Sequence, residues 1–448
     1  MVLRHALAAC VFLVGAACGG KFADDDLVPA DAGKPDVHDG GPHDANLVDV
    51  APPPYHPVGK ACDPPDAAPP APWTPDGTAA PIHPPIMHPL GGPVLARPVF
   101  VPVTYGDDPF RGPLEDFVAS VGCTSYWRSI ANDYGVGDAY AVTPVHLATA
   151  PSGLDDTGMD SYLDPLIESN ALPAPIADQT LYVLFLPETT TVTLEGSVSC
   201  EGFYGYHSEA KLSNGHVVSY AIVPRCTPID PLDEVQTLTA VTSHELMEAV
   251  TDPRPFTNPA NMDPTDDAIA WALAGGGEVG DLCYLDYGPW DFATAFFQPA
   301  DYPFFVQHQW SQRSAYAGHD PCQPSTQSVF FAAAPVVGDS ISFDLGWGPS
   351  TATGVKLAVG QKKTIDVKLV ADGPFTGPIA VQAFDASVFG DTSALDLELS
   401  PSQGNVGDTL SLTITRTGTS SEYPIEGFAL VATSGSISRT WWGAVGDP

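Results

Sequence analysis

The chain has 448 residues and a formal net charge of -37, with 17 Lys and Arg against 54 Asp and Glu. That balance repels phosphate backbones and excludes a role in binding nucleic acid. Only 16% of residues are charged and 44% are hydrophobic, enough apolar material for real cores in two or three domains.

Arg4 and His5 precede an apolar run, Ala6 to Ala17, well short of the roughly 20 residues needed to cross a bilayer, so it reads as a signal-peptide core. The run ends in LVGAACG, which resembles the lipobox of bacterial lipoproteins, although Gly15 stands where Leu is usual. Residues 1–18 are therefore expected to be a signal peptide ending at Cys18, whose acylation would anchor the protein to the membrane. Ordinary cleavage near Ala17 is the alternative. Residues 19–95 are dominated by Asp, Pro, Ala and Gly and predict a disordered, solvated tether. Its histidines, His38, His43, His56, His83 and His88, read as linker residues.

Arg97 to Val103 predicts a first strand, and Leu114 to Ser120 and Ser125 to Tyr134 have helical spacing. Leu181 to Leu186 (LYVLFL) and Val217 to Val223 read as buried strands. Asp233 to Val250 runs without Gly or Pro, with Val235, Leu238, Val241 and Leu246 toward one side, and predicts an amphipathic helix. Strands and helices mix without regular alternation, which points to an α+β domain over 96–322. A linker at 323–329 leads to residues 330–448, where runs such as Thr364 to Val370 and Thr409 to Thr415 alternate with period two. This part resembles the immunoglobulin-like β-sandwiches appended to secreted bacterial enzymes, with binding or spacing as its expected role.

Beyond Cys10 and Cys18, six cysteines remain. In an oxidising compartment they suggest three disulfides, with fifteen pairings open. Cys200 with Cys226 and Cys283 with Cys322 are favoured because each pair brackets a compact segment.

The expected chemistry centres on His244-Glu245-Leu246-Met247-Glu248. In HExxH zinc peptidases, two ligands four residues apart share a helix face, and the intervening Glu activates a metal-bound water. Here Glu248 occupies the second ligand position. Downstream, GGGEVGDLC supplies Glu278 and Asp281, which resemble the third ligand and the ring-orienting aspartate of gluzincin peptidases, although the spacing is one residue short. The zincin-like reading assigns His244, Glu248 and Glu278 to the metal, Glu245 to general base and Asp281 to holding the His244 ring. His207, Asp252 and Asp281 are rival third ligands. The expected ion is Zn²⁺, with another divalent cation as alternative. Trp271, Trp290 and Trp310 are read as core anchors, and His308 and His319 as surface residues.

Over residues 97–322, VFVPVTYG, TSYWRSIANDYGVG, LYVLFLP, CEGFYGYH, YAIVPRC, SHELMEAVTDP, GGEVGDLC and VQHQWSQRS together resemble bacterial relatives of the Exordium or phosphate-induced protein family. Tyr204 departs from that pattern at an expected cysteine. The resemblance implies a secreted protein and a single structural unit, without a defined reaction. The resulting expectation is an extracytoplasmic, peptidase-like metal-dependent hydrolase acting on a peptide or cell-envelope substrate. The competing expectation is a non-catalytic surface adhesion or binding lipoprotein.

Overall fold

The computed structural model describes residues 55–287, 292–344, 349–386, 393–419 and 425–448. The expected signal peptide with Cys18, the expected tether up to residue 54 with His38 and His43, and Trp290 lie outside the described residues. No helix among the described residues is long and apolar enough to cross a membrane.

Residues 55–95 correct the tether expectation. They carry little regular structure apart from β1 (Met87–Pro89), yet they lie against the folded body. The Val58 and Gly59 amides donate to the Asp116 carboxylate, Cys62 is disulfide-bonded to Cys123, Trp73 N donates to Asp133 O, and Trp310 Nε1 donates to Pro85 O. Proline prevents this strap from forming its own ladder, so its backbone groups find partners on the body instead.

The mixed helical and stranded body is built on one sheet. Its main path is β3 (Tyr140–Ala141), β2 (Val99–Tyr105), β5 (Thr180–Leu186), β7 (Val217–Pro224) and β6 (Tyr206–Lys211), with β4 (Val145–Leu147) also pairing β2. β2, β5 and β7 run parallel, and β6 is an antiparallel edge. The β2–β5 pairing is parallel because the connection between them carries α1 (Arg111–Val121), α2 (Ser125–Ala131) and α3 (Met159–Glu168), which return the chain to the same end of the sheet. Alternation then sends neighbours to opposite faces. Leu181, Val183 and Phe185 join a core with α1, α2 and α4 (Glu234–Thr251), while Tyr182, Leu184 and Leu186 join one with α3. LYVLFL is thus buried on both faces, as its unbroken apolar run requires.

The α4 helix starts at a capping box, where Asp233 accepts from Gln236 N and Gln236 Oε1 accepts from Asp233 N. It is not amphipathic as expected. Every residue from Thr237 to Thr251 is buried, because the sheet lies on one side and, further along the chain than β8 (Asn261–Pro264) and α5 (Ile269–Leu273), α6 (Val279–Tyr287) and β9 (Val306–Gln307) pack on others. Its hydroxyls tolerate this by bonding back to the helix, Thr242 to Leu238 O and Thr251 to Met247 O.

From Phe331 onward the described residues form two facing sheets, one of four strands and one of six, around a shared core that includes Phe331, Val367, Leu412, Phe428 and Leu430. This β-rich part is joined to the body by more than a linker. Ile341, Phe343, Trp442 and Ala444 enter the body's larger core. Arg439, 1% exposed at its side chain, pairs with Asp286 of α6 and, at 2.6 Å, with Asp320, and its guanidinium lies 4.4 Å from the Tyr287 ring centroid. The remaining disulfides are Cys200–Cys226 and Cys283–Cys322, the two pairs favoured from spacing. Three disulfides suit an oxidising, extracytoplasmic compartment.

Candidate metal centre

Three segments converge where α4 meets α6. The α4 helix presents His244, Glu245 and Glu248, edge strand β6 presents His207, and the first turn of α6 presents Asp281. His244, Glu248 and Asp281 form one group able to hold a metal ion, and His207, Glu245 and Glu248 form another. Glu248 Oε2 is the shared atom, 3.0 Å from His244 Nε2 and 3.8 Å from His207 Nδ1. Asp281 Oδ1 lies 3.7 Å from His244 Nε2, and Glu245 Oε2 lies 3.8 Å from His207 Nδ1.

Both imidazoles are oriented from behind. Gln307 Nε2 donates to Gly280 O at 2.7 Å, which leaves Gln307 Oε1 to accept from His244 Nδ1–H at 3.1 Å. The Asp252 carbonyl, which can only accept, takes a hydrogen bond from His207 Nε2–H at 3.1 Å. These contacts turn His244 Nε2 and His207 Nδ1 toward Glu248 Oε2. Holding a ring through one nitrogen while the other faces a carboxylate is also how metal-binding histidines are oriented. Glu248 is fixed as well, its Oε1 accepting from Gly280 N at 3.0 Å and Asp281 N at 3.3 Å at the start of α6.

The electrostatics are lopsided. No ion pair among the described residues brings Lys or Arg to Glu245, Glu248, Glu278 or Asp281. Burial, reinforced by Glu248, pushes Glu245, Glu278 and Asp281 well above the usual carboxylate range. Burial opposes ionisation of Glu248 too, but His244 and His207 outweigh it and hold its pKa below the usual value. Burial likewise lowers the His207 pKa and favours its neutral form. Buried Glu245 Oε1 and Glu278 Oε1 accept no hydrogen bond. Such a set sheds its charge by taking up protons or a cation. Close packing at two glycines confines it: a Cβ on Gly280 would lie 2.9 Å from Glu248 Oε1, and one on Gly205 would lie 2.5 Å from Glu245 Oε1.

The sequence-predicted residues are therefore brought together with changed placements. Asp281 does not hold the back of the His244 ring, because Gln307 already occupies Nδ1; Asp281 faces Nε2 with the other donors. Glu278 precedes α6, with Oε1 3.5 Å from His207 Nε2, on the side of that ring away from Glu248. Of the rival third ligands, His207 and Asp281 belong to the donor groups, and Asp252 contributes its carbonyl to His207. Gln307 was not anticipated, since nothing in its spacing marks it. His308, expected at the surface, is 1% exposed and stacked on Phe297 at 4.0 Å, whereas His319 is exposed and meets Asp372. Trp271 and Trp310 are core anchors packed edge to face. A third grouping, Asp286, Asp320 and Cys322, has no thiolate to offer because Cys322 is in a disulfide, and Arg439 already neutralises its carboxylates.

No family model and no curated protein matches the chain. Among solved structures, domains 4 and 5 of the S-layer protein SbsC are 20% identical, covering 26% of this chain and 54% of that one with a TM-score of 0.16. The chain spans about half the length of that structure, and a likeness at this score carries no argument about fold or function.

Proposed function

We propose that the protein is an extracytoplasmic metal-dependent hydrolase, peptidase-like and zincin-like in its helix, acting on a peptide or cell-envelope polymer. One observation carries the reading: two histidines, each committed through one nitrogen to an amide oxygen, aim the other at the same buried Glu248 oxygen. Imidazole nitrogens with carboxylate oxygens suit Zn²⁺, and His244, Glu248 and Asp281 would hold it, with His207, Glu245 and Glu248 as the adjoining group that shares Glu248. A bound Zn²⁺ supplies Lewis acidity and makes a water more acidic. Glu245, next to the first ligand and with Oε1 unbonded, would accept a proton from the attacking water and return it to the leaving group. Gln307 and the Asp252 carbonyl keep the imidazoles in the required tautomers. The lipid anchor at Cys18, the kinship with Exordium-like proteins and the immunoglobulin-like assignment of the β-rich part belong to the same reading.

Burial favours a second reading. His244 and Glu245 are 1% exposed, which suits an ion that serves only to hold α4, α6 and β6 together in a surface protein. Elemental analysis of the wild type, His244→Ala and Glu248→Ala tests both readings. A stoichiometric ion in the wild type that is lost in both variants is expected, and a metal-free wild type overturns both. Cleavage of casein or a peptide library that is lost in Glu245→Gln with the ion retained supports the hydrolase. An ion-loaded wild type without cleavage leaves the structural role.

A further inference from the structure

Two donor groups lie side by side in the candidate metal centre, and Glu248 belongs to both. His244, Glu248 and Asp281 each bring one ligand atom within 4.8 Å of the others, and His207, Glu245 and Glu248 do the same. The five side chains thus fall into two groups of three, not one group of five. A cation has two places to sit, one on each side of the Glu248 carboxylate.

The spacing within each group suits an ion. Around a tetrahedral ion with bonds of about 2.0–2.2 Å, neighbouring ligand atoms stand roughly 3.3–3.6 Å apart. On the α6 side, His244 Nε2 is 3.0 Å from Glu248 Oε2 and 3.7 Å from Asp281 Oδ1. On the β6 side, His207 Nδ1 is 3.8 Å from Glu248 Oε2 and 3.8 Å from Glu245 Oε2. Each imidazole therefore faces two carboxylates at close to ligand spacing, and Glu248 Oε2 serves both. The other Glu248 oxygen already accepts from Gly280 N and Asp281 N, so this carboxylate meets the two groups through a single atom. Glu245 turns Oε2 to His207 and keeps Oε1 unbonded.

Charge balance favours filling both places. Glu245, Glu248 and Asp281 are buried, and the Glu278 side chain is 15% exposed with Oε1 3.5 Å from His207 Nε2. When ionised, these four carboxylates carry four negative charges, and among the described residues no Lys or Arg pairs with any of them. One divalent ion cancels two of the four. A second cancels the remainder, which burial would otherwise penalise.

We propose that the centre holds two divalent ions, one on His244, Glu248 and Asp281 and the other on His207, Glu245 and Glu248, with Glu248 Oε2 as their bridging ligand. Two-metal hydrolytic centres hold their ions about 3.5–4 Å apart, which a shared oxygen with bonds of about 2 Å permits. The inference rests on the metal-centre reading above and extends it: the ion lost from His244→Ala becomes one of a pair. Glu245 Oε1 stays available to accept a proton.

The test uses the whole protein, stripped with a chelator, loaded with excess Zn²⁺ and freed of unbound ion before elemental analysis. A parallel sample is loaded with Mn²⁺, which nitrogen and oxygen donors also bind, and studied by electron paramagnetic resonance, because two Mn²⁺ sharing one oxygen are spin-coupled. The wild type is expected to hold two ions per chain and to give the coupled signal. His207→Ala and His244→Ala should each fall from two ions to one, with the signal of isolated Mn²⁺, and Glu248→Ala should abolish the coupling. The wild-type count and signal decide the question even where a variant does not fold. A single ion per chain in the wild type, two ions without spin coupling, or a coupled pair that survives His207→Ala overturns the two-ion centre. A single His244-dependent ion with casein cleavage overturns the pair and leaves the hydrolase standing. A coupled pair without cleavage overturns only the hydrolase, and a metal-free wild type overturns both.

Discussion

Replacing Gln307 with Leu removes two buried hydrogen bonds, the 3.1 Å contact that holds His244 Nδ1 and the 2.7 Å contact to Gly280 O. Both partners are left buried without their amide, at about 1–3 kcal/mol each, so the ion-free protein should lose about 2–6 kcal/mol. The strand itself stays anchored, because Gln307 N donates to Ser243 Oγ at 2.8 Å through the backbone. The larger consequence concerns the ion. Freed from Gln307, the His244 ring can rotate or change tautomer, and loss of such outer support typically weakens metal binding 10- to 100-fold, which corresponds to about 1.4–2.7 kcal/mol. Zn²⁺ affinity by chelator competition and stability by urea unfolding separate the two effects. Gln307→Glu restores an acceptor for Nδ1–H but sets a carboxylate against the Gly280 carbonyl, so affinity should recover while much of the stability loss persists. A Gln307→Leu protein that is less stable yet binds Zn²⁺ within about twofold of wild type would refute the reasoning, since removal of the support would then leave the ligand unaffected.

Arg439→Leu strands Asp286 and Asp320 in the interior and should cost about 3–5 kcal/mol, whereas replacing all three by apolar residues of similar size should be far milder; urea unfolding checks both. Gly280→Ala forces a methyl group against His244 and Glu248, and should cost about 1–3 kcal/mol together with the site's ion, read by melting temperature and elemental analysis. Burial pulls the His308 pKa down to about 3. Below about pH 6.5 the unfolded chain takes up a proton that the folded chain refuses, so this residue removes about 2 kcal/mol of stability by pH 5. His308→Gln should flatten the stability profile between pH 7 and pH 5, and a slope unchanged from wild type would exclude His308 as its source.

The elements legible in the sequence were those set by local chemistry. Asp233 announced the start of α4, and the unbroken LYVLFL run announced a strand covered on both faces. The two disulfides over short loops were legible from spacing alone. The rest depended on contacts between distant segments. His207 and Gln307 reach the His244 neighbourhood from strands on either side of α4 in the chain, and no local period marks either residue. The roles of Glu278 and Asp281 were transposed because the helix begins at Val279: Glu278 stays outside it, while Asp281 is carried on its first turn toward Glu248. The composition of residues 55–95 signalled the lack of regular structure but not docking, since proline-rich chain is extended whether it floats in solvent or lies along a surface that supplies its hydrogen bonds.

The strap has a mechanical consequence. A pull on the chain ahead of residue 55 first meets the Tyr55, Val58 and Gly59 contacts with Asp116, which can peel away one at a time. It then meets Cys62, covalently joined to Cys123 between α1 and α2. Beyond that point tension passes into the helical layer against the sheet, and the stretch from residue 63 to β1 is shielded from the load. Oxidised protein held by its N-terminal end should therefore yield only after a few residues of slack and then resist as a whole, whereas reduced protein should unzip along the strap as far as β1, which pairs antiparallel with β8 (Asn261–Pro264).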